Sequence, residues 1–384
     1  MGEIFTTADI LLPDVPDMER WSVVACDQYT SEPEYWRRVR EYVGSAPSTL
    51  NMIVPEAELS HEPARAISSA NRAMEDYLSG GVFKELKNEL IYVERTLSTG
   101  AVRHGLVGAL DLEDYDFAPG ANTPVRATEK TVAERLPVRV RVREHAALEL
   151  PHIMVLIDDP SCSLVEPLGE RLRGEAPLYD FSLMEGGGHV LGKALGEAGK
   201  KLALASFKKL AEAAKADGRP VIAVGDGNHS LAAAKLCWEA VKAGLSDGER
   251  ERHPARYALA ELVNLHDPAL DFQPIHRVVF GADRAKLEEE LDRAGVDRDD
   301  VGALQAFLDA YIAENGGRVD YIHGDETALR LGAQEGNTAF LLPAMRKSAL
   351  IPMVVRDGSL PRKAFSMGAA ADKRFYLEAR RITK

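Results

Sequence analysis

Five consecutive residues, Asp226-Gly227-Asn228-His229-Ser230, bring a carboxylate, an amide, an imidazole and a hydroxyl together around one glycine. A glycine at the end of a strand lets a ligand approach backbone N–H groups, and an acid beside it can hold a metal or a hydroxyl. The chemistry such a loop suits is anion binding, phosphate above all. The same residues also fit an Asp-Gly turn with Asn228 as helix cap, and His229 equally fits a core histidine satisfied by a neighbouring carbonyl. Spacing alone leaves these readings open.

The flanking segments decide what the loop is attached to. A helical pattern over Leu204–Ala216 ends at Asp217-Gly218-Arg219-Pro220, the apolar run Val221–Val224 reads as a strand, and Ser230–Ala243 resumes an alanine-rich helix. This strand, loop and helix would put backbone N–H groups at a helix start, where an anion can dock. Upstream, Thr131-Val132-Ala133-Glu134 has capping-box spacing, which predicts a helix from Thr131 towards His145 and sets Glu129 just ahead of it. A helix dipole favours an acid there whether or not it does chemistry.

Other elements follow from patterning. Trp21–Cys26 and Asn51–Pro55 read as strands, Glu34 opens a helix, and a second runs from Pro63 to Leu78. Leu90–Glu94 and Ala101–Leu112 alternate as a hairpin about Ser98-Thr99-Gly100, and Ile153–Ile157 reads as a buried strand. Tyr257–Leu265 and His276–Phe280 are further strands, Ala285–Ala294 and Val301–Asn315 helices, and short strands fill Arg318–Leu342. His276-Arg277 could bind a substrate or form a strand-edge salt bridge. Gly187–Ala194 fits the first seven P-loop positions, but Ala194 lacks the hydroxyl that would reach Mg²⁺. No HExxH helix, G-x-S-x-G elbow or zinc-type Cys/His cluster occurs.

Composition narrows the class. A net charge of −13 argues against a nucleic-acid surface, which needs clustered Lys and Arg, and obliges any phosphate site to supply its own local positive field. Three cysteines without CxxC spacing fit a reducing compartment, and neither a signal-type start nor an apolar run of about 18 residues is present, so a cytoplasmic protein is expected.

Asp226–Ala232 resembles the DGHHR-type signature of the domain-of-unknown-function 1015 family, whose motif is similar to that of the ParB/sulfiredoxin superfamily, which includes free-serine kinases. Val125-Arg126-Ala127-Thr128-Glu129-Lys130-Thr131 resembles the family's PHE-K-T segment. Asp267-Pro268-Ala269-Leu270 and Pro274-Ile275-His276-Arg277 resemble its D-P-x-L and P-x-H-R blocks. Phe365–Gly368 and Asp372–Arg380 extend the likeness over nearly the whole chain. Two departures stand out: Asn228 and Ser230 occupy the places of a histidine and an arginine, and Thr128 that of a histidine. The lost arginine removes a bidentate phosphate donor, for which Lys130, Lys235 or Arg277 are the candidate replacements.

The resemblance implies a mixed α/β protein with a ParB/sulfiredoxin-like nucleotide-binding core over residues 96–280. Residues 1–95 would form an N-terminal α/β region and 281–384 a C-terminal α+β region. It implies a nucleotide-dependent phosphotransferase acting on a small hydroxylated metabolite such as free serine, with Glu129 and Asp226 catalytic and Gly227, Asn228, His229 and Ser230 on the phosphates. His276 and Arg277 would meet the substrate, ATP or ADP would serve as nucleotide, and Mg²⁺ would be held by Asp226. A small molecule and a nucleotide are the expected partners, together with a second copy in a homodimer; a membrane and nucleic acid are not. The competing expectation is a non-catalytic nucleotide-binding or regulatory protein of ParB-like type.

Overall fold

The alternating stretch around Ser98–Gly100 folds as its pattern predicts: Ile91–Thr96 pairs antiparallel with Val102–Asp111, Ile91 opposite Val107. These strands lie within a mixed sheet of ten strands among the described residues, which in this computed structural model are 3–30, 32–59, 63–118, 120–131, 136–361 and 363–383. The chain divides into two compact units. The larger comprises Met1–Ala127, Thr131–Leu270 and Ala369–Lys384; the smaller comprises Thr128–Lys130 and Asp271–Gly368.

In the larger unit the sheet runs Tyr179–Leu183, Gly188–Ala194, Ile91–Thr96, Val102–Asp111, Tyr257–Asn264, Met154–Ile157, Ile222–Asp226, Val125–Ala127, Tyr115–Asp116, and the tenth strand, Phe5–Thr6, pairs with Val102–Asp111 off this path. Pairing is antiparallel over the first half. It becomes parallel where Tyr257–Asn264 meets Met154–Ile157 and where Ile222–Asp226 meets Val125–Ala127. Val155, Ile157, Ile222 and Val224 are fully buried, as their unbroken apolar runs require. Helices Gly196–Ala216 and Asn228–Lys242 cover this region, the second through Leu231, Ala234 and Trp238. The first begins eight residues before the predicted start.

Several local expectations are corrected. Trp21–Cys26 is not a strand: Trp21 closes the short helix Met18–Trp21, capped by Asp17, and only Val24 forms a bridge, to Phe375. Asn51–Pro55 is not a strand either, because Ser48 accepts from the Leu50 N–H and winds Thr49–Met52 into a 3₁₀ turn. Gly188–Ala194, the P-loop look-alike, is a strand paired on both sides, which excludes a phosphate loop. The predicted helix start at Thr131 depends on residues 132–135, which lie outside the described residues; Leu136–Arg143 is helical.

The smaller unit is built on Phe272–Phe280, flanked antiparallel by Arg318–His323 and Asn337–Phe340, with Phe365–Met367 pairing its start. Arg284–Ala294 and Val301–Asn315 pack Leu287, Leu291, Leu304 and Leu308 onto it. Among the described residues no helix is long and apolar enough to cross a membrane.

Candidate functional site

The strand Ile222–Asp226 carries one extra residue against Met154–Ile157: Val224 faces Val155, yet Asp226 faces Met154. Gly225 is the surplus residue of this bulge, a device that re-aims the side chain following it. Gly227 then turns the chain with φ +79° and ψ 23° and starts the helix Asn228–Lys242 without any side-chain cap. A Cβ at Gly227 would lie 3.0 Å from the Ile153 Cα, so both backbone conformation and space require glycine. The result is a helix start that its cap residue has no side chain to cap, where the dipole favours an anion. Beside it the Asn228 Oδ1 is buried without a hydrogen-bond partner. The helix-cap reading of Asn228 does not hold, since Gly227 occupies the cap position and Asn228 is the first helical residue.

Charge enters from the C-terminal segment. Asp226 accepts from the Gly227 N–H through Oδ1 at 2.9 Å, and its Oδ2 lies 3.2 Å from Lys373 Nζ. Lys373 is held by the stitching of the C-terminal residues to the N-terminal ones: Tyr376 N–H donates to the Val23 carbonyl and Trp21 Nε1 to the Leu377 carbonyl. Asp27 is the second carboxylate of this neighbourhood. Burial opposes its ionisation, but the charge of His152, a hydrogen bond from Gln28 and the charges of Lys373 and Arg139 outweigh that and hold it below the usual carboxylate range. The Asp226 carboxylate beside the turn favours a phosphate arriving with its own cation over a bare one.

A hydrogen-bonded chain runs inward from the loop. Ser230 Oγ lies 3.3 Å from His152 Nε2, His152 Nδ1 lies 2.9 Å from the Tyr376 hydroxyl, and that hydroxyl lies 3.0 Å from Cys26 Sγ. Burial, reinforced by Asp27, pushes the Cys26 thiol up to about 12, so it stays protonated and is no nucleophile. Ser230, His152 and Tyr376 line a cavity of about 140 Å³.

Of the sequence-predicted residues, Asp226, Gly227, Asn228, His229 and Ser230 stand together in the larger unit, His229 half-buried. Glu129, His276 and Arg277 belong to the smaller unit. Glu129 forms a bridge with Leu360, flanked by hydrogen bonds from Leu360 N–H to the Thr128 carbonyl and from Lys130 N–H to the Leu360 carbonyl. In the larger unit Ala127 is the parallel partner of Val224, and in the sequence Glu129 and Asp226 each follow these by two residues. His276 accepts the Leu342 N–H at Nδ1 and lies 2.9 Å from Asp325 Oδ1 through Nε2. Arg277 is buried, donating to Gln305 Oε1 and to the Ile275 and Lys363 carbonyls. Of the candidate replacements for the lost arginine, Lys130 is exposed and Lys235 donates to the Leu112 carbonyl and pairs with Glu239.

Sequence reasoning missed Lys373 and His152. Lys373 lies inside the Asp372–Arg380 block and His152 immediately precedes the predicted strand Ile153–Ile157, so both sat beside recognised features. Nothing in their spacing pointed at residue 226 or 230.

A family model described as protein of unknown function (DUF1015) matches residues 13–377. No curated protein sequence matches the chain. Among solved structures, a free serine kinase in complex with AMP is similar at TM-score 0.37 and 11% identity, over 72% of this chain and 90% of that one. A mutant free serine kinase in complex with ADP scores 0.38 at 11% identity, covering 72% and 91%. A conserved hypothetical protein from Pyrococcus furiosus scores 0.34 at 11% identity, covering 70% and 90%. Likenesses this slight carry no argument about activity.

Proposed function

This chain belongs to the DUF1015 family of proteins of unknown function, and from its own site we propose that it is a nucleotide-dependent phosphotransferase acting on a small hydroxylated metabolite, free serine being the acceptor the sequence resemblance suggests. The observation that carries this reading is the glycine-started helix at Asn228 beside the Asp226–Lys373 pair. Phosphoryl transfer asks a protein mainly for positioning and for fixed charges around the phosphates. Amides at the helix start, with the side chains of Asn228, His229 and Ser230, would cradle the phosphates of ATP or ADP. Gly227 gives the ligand room to approach.

We assign Lys373 the local positive charge that a chain of net charge −13 must supply at such a site. Magnesium takes only one or two carboxylates from a protein when phosphates provide its other ligands. Asp226 would be its ligand here, and the ion would neutralise phosphate charge. Among the described residues no cluster of three or more acidic, histidine or cysteine side chains forms a separate metal cage. Glu129 is proposed as the carboxylate that orients the acceptor hydroxyl and takes its proton. His276 and Arg277 are proposed on the substrate side, a role in which they would exchange internal partners for substrate.

The test is calorimetry of the purified protein with ATP, ADP, GTP and CTP in the presence of Mg²⁺, followed by a phosphate-transfer assay with serine and other small alcohols. The reading expects at least one nucleotide to bind and Glu129→Gln to abolish transfer while affinity is kept. Absence of binding to all four nucleotides ends it. Binding without transfer to any acceptor leaves the non-catalytic, ParB-like alternative.

A further inference from the structure

The cavity behind Ser230 has a chemistry of its own. Its walls are mostly apolar, with Met52, Val54, Met74, Leu148, Leu150 and Ala233 among them. The charged side chains at its margin are already matched: Arg139 pairs with Glu56 at 2.9 Å, and Arg143 with Glu149 at 2.6 Å. Glu149 is held further by Arg380 at 2.7 Å and by the Leu259 N–H at 2.8 Å. A zwitterion entering here would have to break one of these pairs and leave a charge without its partner, which is costly in a desolvated site. An uncharged ligand meets no such cost.

The polar end is equally specific. The Tyr376 hydroxyl accepts the Cys26 N–H at 3.2 Å and lies 3.0 Å from Cys26 Sγ and 2.9 Å from His152 Nδ1. On the other side of the ring, His152 Nε2 lies 3.3 Å from Ser230 Oγ and 3.9 Å from Asp27 Oδ2. Ser230 reaches Nε2 only at 3.3 Å, a long contact that a better-placed hydroxyl can replace. His152 and Tyr376 are both buried and pack edge to face at 5.5 Å, which fixes the ring.

We propose that this cavity is a binding site for a small, uncharged alcohol, its apolar body against the Met52, Met74 and Leu148 wall and its hydroxyl donated to His152 Nε2 beside Ser230. The inference goes beyond the proposed function, whose acceptor is assigned to Glu129, His276 and Arg277, and does not rest on it. Occupancy of the cavity requires no nucleotide. His152 acts as a positioning residue.

The test uses benzyl alcohol as probe, with benzyl methyl ether and L-serine as controls, by ligand-observed NMR and calorimetry on the full chain. Benzyl alcohol is expected to bind at least tenfold more tightly than either control and to shift the ¹⁵N resonance of His152 Nε2. Ala233→Leu, which fills the cavity, is expected to abolish binding; His152→Gln, which keeps a polar group, is expected to weaken it and to erase the preference for alcohol over ether. Equal binding of alcohol and ether to the wild-type protein, or tighter binding of serine, overturns the proposal. Alcohol binding without any nucleotide binding would sink the phosphotransfer reading and leave this site standing; nucleotide binding without alcohol binding would do the reverse.

Discussion

Lys373 Nζ sits 3.2 Å from Asp226 Oδ2, so the C-terminal segment places an ammonium at the mouth of the glycine turn. Charge-assisted hydrogen bonds contribute about 1.5–3 kcal/mol each. Lys373→Met should therefore weaken nucleotide binding roughly ten- to a hundredfold. Calorimetry on the variant checks this, alongside a melting curve to show that the fold is kept. Unchanged affinity in a folded variant removes Lys373 from the site.

The Asp226 carboxylate beside the helix start makes a second prediction. A nucleotide should bind with its cation and poorly without it, because the cation offsets repulsion between phosphates and acids. Titration in EDTA is expected to give an affinity at least tenfold below that in Mg²⁺. Equal affinities in the two buffers would show that Lys373 and the helix amides suffice alone.

Gly227→Ala should cost the larger unit stability directly. Its φ of +79° costs an L-residue about 1–2 kcal/mol, and the new Cβ would press to 3.0 Å on the Ile153 backbone, which cannot move without shifting a buried strand. A melting temperature lower by several degrees is expected, with nucleotide binding lost in parallel. A variant as stable as the parent would mean the turn relaxes to another conformation.

What the sequence made legible divides along physical lines. Long apolar or alternating runs fixed their own structure: Met154–Ile157, Ile222–Asp226, and the hairpin joining Ile91–Thr96 to Val102–Asp111 lie within a residue or two of their predicted places. Trp21–Cys26 misled because its apolar residues are buried by a partner more than 350 residues away, through Val24 and Phe375, with no continuous ladder. Window-based periodicity cannot register that pairing. The candidate site repeats the lesson: the Asp226–Ser230 loop announced itself, whereas Lys373 and His152 depend on how the C-terminal residues return to Trp21 and Val23.

Glu149 tests how much the buried charges beside the cavity matter. It accepts from Arg143, Arg380 and the Leu259 N–H, and these contacts hold its carboxyl below the usual range against the opposing effect of burial. Removing one member of a buried ionic group leaves its partners uncompensated, at roughly 3–5 kcal/mol. Glu149→Gln should thus be strongly destabilising in urea unfolding. A loss below about 1 kcal/mol would mean that Arg143 and Arg380 find solvent or other acceptors.

His104 and Asp267 give the protein a pH signature away from the candidate site. His104 Nδ1 lies 3.1 Å from Asp267 Oδ2, and that hydrogen bond, against the opposing effect of burial, raises the imidazole above its usual value. For Asp267 burial works upward, but the hydrogen bonds from His104 and from the Ala269 N–H outweigh it and lower the carboxyl. A raised histidine stabilises fully below its unfolded value near about 6.5 and loses that contribution as pH rises through its folded value. A lowered aspartate stabilises above about 3.9 and loses its contribution as pH falls through its depressed folded value. The pair is therefore worth most between roughly pH 4 and 6.5, on the order of 1 kcal/mol for a buried carboxylate meeting a partly exposed imidazole. Urea unfolding of wild type and His104→Gln at pH 5.5 and 8.5 measures it: the difference between the two proteins should shrink at the higher pH, and a difference that stays constant would show that His104 does not change charge across that interval.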